Sequence, residues 1–100
     1  MTSLLDITDR LRGALSGQPG LERTLKLDLR GEGVVFIDGA LVSNEDRPAD
    51  CTVSVSKDDL VALAQGSLDP MSALMRGRMK VIGDMSVAMR LQPILSRSKG

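Results

Sequence analysis

Histidine, tryptophan and tyrosine are absent, and cysteine and phenylalanine occur once each in 100 residues. Without histidine, this chain cannot assemble a Ser-His-Asp triad, a Cys-His dyad or a His-ligated metal site. A lone Cys51 excludes an internal disulfide and the zinc spacings that need paired cysteines. No charge sign dominates, because 13 Lys+Arg face 13 Asp+Glu. That balance removes the global basic field of a nucleic-acid binder, and Phe36 alone offers no stacking platform. No apolar run approaches the ~18 residues of a membrane span. The opening Met-Thr-Ser-Leu-Leu-Asp places an acid where a signal peptide needs an unbroken apolar core. Ser98-Lys99-Gly100 lacks the final Leu of the peroxisomal address. The expectation is a cytoplasmic, non-enzymatic domain over residues 1–100, with no cofactor, no metal and no nucleic-acid partner.

What is present alternates between two periods. Leu4, Ile7, Leu11, Ala14 and Leu15 lie on one face of a helix from about Ser3 to Leu15. Ser3 and Asp6 stand at capping spacing, and Gly17 to Gly20 punctuate the end. The polar face of this helix carries Asp6, Asp9, Arg10 and Arg12, whose charges cancel. From Thr24 to Arg30 the period becomes two, with Leu25, Leu27 and Leu29 opposite Lys26, Asp28 and Arg30. Gly31-Glu32-Gly33 turns the chain into a strand over Val34–Ile37, Asp38-Gly39 reads as a hairpin, and Ala40–Val42 as a short third strand. A polar loop from Ser43 to Asp50 leads to a fourth strand in which Cys51, Val53 and Val55 alternate with Thr52, Ser54 and Ser56.

Helices enter in the second half. Ser56 and Asp59 cap a helix carrying Leu60, Val61, Leu63 and Ala64, which Gly66 stops. Asp69-Pro70 begins another, with Met71, Leu74 and Met75 as its apolar edge and Gly77 as its end. Arg78–Ile82 reads as a fifth strand with Met79 and Val81 inward. Gly83-Asp84 introduces a last helix that Pro93 ends or kinks. On that helix Met85, Val87, Ala88, Met89 and Leu91 spread over roughly 200° of circumference, more than a helix packed on a sheet requires. The surplus must meet a neighbouring element, a second subunit or a ligand.

Five of the six methionines fall between Met71 and Met89. Flexible thioether stems suit irregular core gaps and also surfaces that accept varied apolar partners. Charge is uneven too: residues 1–50 hold six bases and nine acids, whereas residues 76–100 hold six bases and one acid. Arg76, Arg78 and Lys80, followed by Arg90, Arg97 and Lys99, form either a solvated face or a contact for lipid head groups or acyl-CoA phosphates. Neighbouring Asp58 and Asp59 suit helix capping better than acid-base chemistry. Cys51, inward on its strand with no local cation, reads as a small buried hydrophobe.

The run Ala49-Asp50-Cys51-Thr52-Val53-Ser54-Val55 is followed by Asp59-Leu60-Val61-Ala62-Leu63 and Gly66. Next come Asp69-Pro70-Met71-Ser72-Ala73-Leu74-Met75-Arg76-Gly77-Arg78-Met79-Lys80-Val81, then Gly83-Asp84-Met85 and Ala88-Met89-Arg90-Leu91. In order and spacing these resemble the sterol-carrier-protein-2 family of small lipid-binding and lipid-transfer domains. The resemblance covers residues 49–92 by motif and Leu25–Val42 by pattern. It implies an α/β (α+β) fold, a five-stranded, mostly antiparallel sheet covered by helices, with an apolar lipid tunnel between them.

Carried over by position, the tunnel would be lined by Phe36, Leu63, Met71, Leu74, Met75, Met79, Val81, Met85, Met89 and Leu91. Arg76 and Arg78 become head-group candidates. The implied ligand is a fatty acid, fatty acyl-CoA, sterol or isoprenoid, with transient membrane contact. Where many members carry glutamines and two phenylalanines, this chain has Met71, Leu74, Met75 and Arg76. The cavity is therefore softer and favours flexible acyl or isoprenoid chains. The alternative is an accessory module that forms a homodimer or binds a partner through the same apolar surface, as relatives do in isoprenoid-quinone assembly.

Overall fold

Strict alternation of leucines or valines with polar residues over Thr24–Asp28 and Cys51–Val55 gives these two strands one dry face, and with three more strands they form one sheet. The computed structural model describes residues 3–16 and 23–98. In chain order the elements are α1 (Leu4–Leu15), β1 (Thr24–Asp28), β2 (Val34–Asp38), β3 (Leu41–Ser43), β4 (Cys51–Val55) and α2 (Lys57–Gln65). They continue as α3 (Pro70–Met75), β5 (Met79–Gly83), α4 (Met85–Met89) and α5 (Leu91–Ser98). The strand order is β3-β2-β1-β4-β5, antiparallel at every junction except the parallel pair β1·β4. This is the expected mostly antiparallel α+β sheet.

The register sorts the two faces. Leu25 and Leu27 lie beside Ile37 and Val35 on one side and Cys51 and Val53 on the other, all buried beneath the helices. Val53 and Val55 then pair with Val81 and Met79 of β5. The opposite face carries Lys26, Asp28, Thr52 and Ser54. Phe36 also lies on it, in register with Lys26 and Ser43. The loop over residues 44–50 covers this ring: the Arg47 guanidinium stands 5.4 Å from its centroid, and Lys26 Nζ donates to Asp46 Oδ1 at 2.9 Å.

Helix α1 forms where its periodicity predicts. The Ser3 hydroxyl accepts the Asp6 N–H and the Asp6 carboxylate accepts the Ser3 N–H, each at 3.2 Å, which completes a capping box. The glycines from Gly17 to Gly20 lie outside the described residues. The buried Thr8 hydroxyl donates to the Leu4 carbonyl at 2.8 Å and accepts from Asn44 at 2.9 Å, so it is not stranded beneath the helix. Ile7, Leu11, Ala14 and Leu15 are buried where α1 packs against α5.

β2 runs one residue past the expected Ile37, β4 stops at Val55 short of Ser56, and β5 is shifted by one residue from Arg78–Ile82. Three further boundaries differ from the sequence reading. β1 stops at Asp28 instead of Arg30, because the Leu29 N–H turns to the Gly33 carbonyl at 3.0 Å and Arg30 takes a φ of 50°. Leu29 is nevertheless buried. β3 begins one residue later, since Asp38 pairs with Leu41 across a Gly39-Ala40 turn in which Gly39 has a φ of 62°. The third difference is larger. The single last helix is two helices, α4 and α5, broken at Arg90. Pro93 neither ends nor kinks a helix there: it sits in the first turn of α5, where no intrahelical N–H is required. Leu91, Ile94 and Leu95 then point into the core.

Gly83 has a role that spacing alone does not reveal. A Cβ on it would lie 2.3 Å from the Asp50 carbonyl oxygen, and its φ is +103°. The close approach lets the Asp84 N–H reach that same carbonyl at 3.0 Å and sets the start of α4 against β4.

Candidate functional site

The site is built around the edge strand β5, between α3 before it and α4 after it. Asp69 caps α3 by accepting the Ser72 N–H at 3.1 Å, and Pro70 occupies the first turn. The chain leaves α3 through Gly77, whose carbonyl accepts from Arg30 at 3.3 Å, while the Arg78 N–H returns to the Ala73 carbonyl at 2.9 Å. At the far end, Asp84 caps α4 by accepting both the N–H and the hydroxyl of Ser86, at 3.0 and 2.6 Å. These bonds, the hydroxyl's first, hold the Asp84 carboxyl below its ordinary value of 3.8.

The ten apolar candidates separate into three layers. Leu63 of α2, Met79 of β5 and Leu91 of α5 are buried in the core. Leu74 of α3 and Val81 of β5 are half-buried and pack against that core. Met71, Met75, Met85 and Met89 are exposed, Met75 to 82%. Apolar surface therefore runs from core to solvent beside β5. Phe36, the tenth candidate, is not brought together with the others, because it lies across the sheet beneath Arg47. The wide apolar spread on the last predicted helix is also resolved: Leu91 belongs to α5, and of the rest only Val87 is fully buried.

Of the five clustered methionines only Met79 fills the core. The other four expose unbranched, polarisable side chains to water, an arrangement that favours an apolar partner over core repair. Arg78 Nη1 stands 3.9 Å from Asp59 Oδ1 in the first turn of α2, while Arg76 is exposed with no ion-pair partner among the described residues. Arg76 is thus the more available counter-charge. The Arg97 side chain and Lys99 lie outside what is described.

Groups suited to covalent chemistry are elsewhere. Cys51 is fully buried in β4, where burial, followed by the nearby negative Asp84, pushes its thiol above the ordinary value. Asp59 occupies the first turn of α2, with its N–H on the Ser56 hydroxyl at 3.1 Å, and Asp58 points to solvent. Among the described residues no group of three His, Cys, Asp or Glu could hold a metal ion, and no helix is long and apolar enough to cross a membrane.

Two features lay beyond the sequence reading. Ile82 of β5 is exposed on the outer side of the sheet beside Thr52, away from the helices, a position that strand alternation after Val81 could have revealed. Ile94 and Leu95, which help close the helix layer, were hidden by reading Pro93 as a stop.

A sequence model described as the SCP-2 sterol transfer family matches residues 4–96. Sterol carrier protein 2 of Oryctolagus cuniculus is 37% identical over 76 residues, which cover 76% of this chain and 13% of the relative. The chain thus spans a small part of that curated relative. The solution structure of sterol carrier protein-2 from Aedes aegypti in complex with the C16 fatty acid palmitate superposes with a TM-score of 0.75 at 19% identity, covering 92% of this chain and 93% of that one. A UbiJ-SCP2 ubiquinone synthesis protein shares the fold with a TM-score of 0.62 at 21% identity, covering 95% and 89% of the two chains.

Proposed function

The chain belongs to the SCP-2 sterol transfer family, and from that premise we propose that it is a non-enzymatic cytoplasmic lipid carrier forming one domain. The observation that carries this reading is the apolar surface beside β5, which descends from exposed Met71, Met75, Met85 and Met89 through Leu74 and Val81 to Met79 and Leu91. An acyl chain entering between α3, β5 and α4 would replace water on those methionines without requiring a rigid pocket shape. Flexible acyl or isoprenoid chains suit such a lining better than a rigid sterol ring. The palmitate in the Aedes aegypti relative supports that preference.

Burial of a 16-carbon chain supplies on the order of 10 kcal/mol gross, at ~0.8 kcal/mol per CH₂. Ordering and association costs reduce this to an exchangeable affinity. A carboxylate or phosphate head group would stay at the mouth, with Arg76 as its counter-charge and Arg78 able to leave Asp59 for it. Ligand exchange would involve transient membrane contact.

Native mass spectrometry of protein purified without detergent tests the reading. A fatty acid, acyl-CoA or prenyl lipid bound stoichiometrically to the monomer supports it, whereas an empty dimer favours the partner-binding module, with the methionines closing the interface. Met75→Glu sharpens the result. Because Met75 is 82% exposed, stability should change by no more than about 0.5 kcal/mol, while titrated fluorescent acyl-chain binding is lost. Unchanged affinity would remove α3 from the site.

A further inference from the structure

We propose that the four exposed methionines of α3 and α4 are a reversible peroxide-modification site, and that their conversion to sulfoxides lowers the affinity of this face for apolar ligands. The modification follows from sulfur chemistry and exposure; its effect on an acyl chain rests on the carrier reading above. Met71 and Met75 lie four residues apart on α3, and Met85 and Met89 four apart on α4, so each helix carries two thioethers on one face. Exposure falls from 82% at Met75 through 72% at Met89 and 63% at Met71 to 49% at Met85, against 8% at Met79 on the strand between them. Among the described residues no other side chain competes for a two-electron oxidant. Histidine, tryptophan and tyrosine are absent. Cys51 is fully buried in β4, where its thiol is held above the ordinary value and yields little thiolate. Met1 lies outside the described residues.

Hydrogen peroxide is the simplest oxidant of the required class. The sulfur donates an electron pair to one peroxide oxygen, the S–O bond forms as the O–O bond breaks, and solvent relays that oxygen's proton to the departing hydroxide. Each thioether is oxidised to a sulfoxide and each peroxide is reduced to water. The product replaces an apolar side chain with a polar one, whose acceptor oxygen an acyl chain cannot satisfy. Leucine at these positions would supply comparable apolar volume without this sensitivity, so the thioethers add a property that burial does not require. A bound acyl chain would in turn cover the sulfurs and slow their oxidation. Met79 lies in the core, so its sulfur stays reduced and the fold persists while the surface changes.

The test treats the intact chain with hydrogen peroxide, maps the products by peptide mass spectrometry, and titrates each sample with a fluorescent acyl chain. A second titration uses anilinonaphthalenesulfonate, a general probe of apolar surface. Met75, Met89, Met71 and Met85 should each gain one oxygen at least about tenfold faster than Met79, with cooperative urea unfolding retained. Affinity for both probes should fall about tenfold or more, because four polar groups replace apolar ones on one face. It should return after treatment with the two methionine sulfoxide reductases, one for each sulfoxide epimer. Met71→Leu, Met75→Leu, Met85→Leu and Met89→Leu combined should abolish the response: whatever affinity that variant has, peroxide leaves it within about twofold. If the quadruple variant aggregates, Met75→Leu with Met89→Leu should remove about half of the response. Oxidation of Met79 as fast as the others, sulfoxides that leave both affinities unchanged, a loss that the reductases do not reverse, or collapse of cooperative unfolding on oxidation would overturn the inference. A parent chain that binds no acyl chain, yet loses the dye on oxidation and regains it on reduction, would instead defeat the carrier reading and leave this site standing. A parent that binds neither probe would defeat both.

Discussion

Helix α1 buries Ile7, Leu11, Ala14 and Leu15, and α5, which packs against it, buries Leu91, Ile94 and Leu95. On the β5 side of the same helix layer, α3 fully buries only Ala73 and α4 only Val87. Burying a leucine or isoleucine side chain contributes about 1.5–3 kcal/mol, and an alanine methyl far less. The two regions therefore differ in what holds them. The α1–α5 side is secured by a hydrophobic seam, whereas α3 and α4 are secured by caps, by Gly77 and Gly83 turns and by one small buried residue each. Few buried contacts and short helices make local opening inexpensive. The proposed carrier role needs such a side, because its ligand would have to pass between elements that otherwise close on one another.

The comparison breaks if truncating an apolar side chain on either side has equal effects. Leu11→Ala should cost about 2–5 kcal/mol in a urea or thermal unfolding experiment, the range for a fully buried leucine. Met89→Ala, on a side chain 72% exposed, should stay within about 0.5 kcal/mol. A comparable loss at Met89 would place α4 in the stabilising seam. Next in size is Gly83→Ala. Its Cβ would meet the Asp50 carbonyl at a φ of +103°, so a loss of about 2 kcal/mol is expected, with faster amide exchange concentrated in β5 and α4. Uniform exchange across the chain would show that the β5 side does not open independently.

Smaller effects come from the caps. Ser3→Ala removes the hydroxyl that accepts the Asp6 N–H, and about 1 kcal/mol should be lost in the unfolding midpoint. An unchanged midpoint would mean that the α1–α5 seam alone sets the position of α1.

Acid should act on both regions. The Asp6 carboxyl is held below the ordinary value of 3.8 by the Ser3 backbone and then its hydroxyl, and Asp50 by the Thr24 N–H and then its hydroxyl. Asp84 is lowered by Ser86. Carboxyl groups depressed in the folded state contribute stability that is complete above the unfolded value and lost as pH falls through the folded one. Urea midpoints should therefore decline between about pH 5 and pH 3, and Asp84→Asn should flatten part of that decline. A profile unchanged by Asp84→Asn would assign the acid sensitivity elsewhere.

Local chemistry made much of this legible in the sequence. The alternation of Leu25, Leu27, Val53 and Val55, the capping pairs at Ser3, Ser56 and Asp69, and the motif run over residues 49–92 each depend on neighbours a few positions away. They were enough for the elements, the dry face of the sheet and the family. Phe36 was misplaced because β2 is buried on both faces: Val35 and Ile37 lie under the helices, and the ring under Arg47 of a loop whose path alternation cannot trace. The methionines carried two readings, core filling or adaptable surface, because composition does not say which side of a short helix finds room.

The sequence by itself thus determined which residues alternate, where helices start and which fold they belong to, since these follow from backbone geometry and short-range hydrogen bonding. Only the tertiary structure decided that β4 joins β1 in parallel, that the chain breaks at Arg90 so Pro93 can begin α5, and that Met79 is buried while Met71, Met75, Met85 and Met89 face water. The physical reason is that burial is a property of packed elements distant in sequence. The area beneath the helices was filled largely by α1 and α5, leaving the short helices beside β5 with apolar side chains facing water.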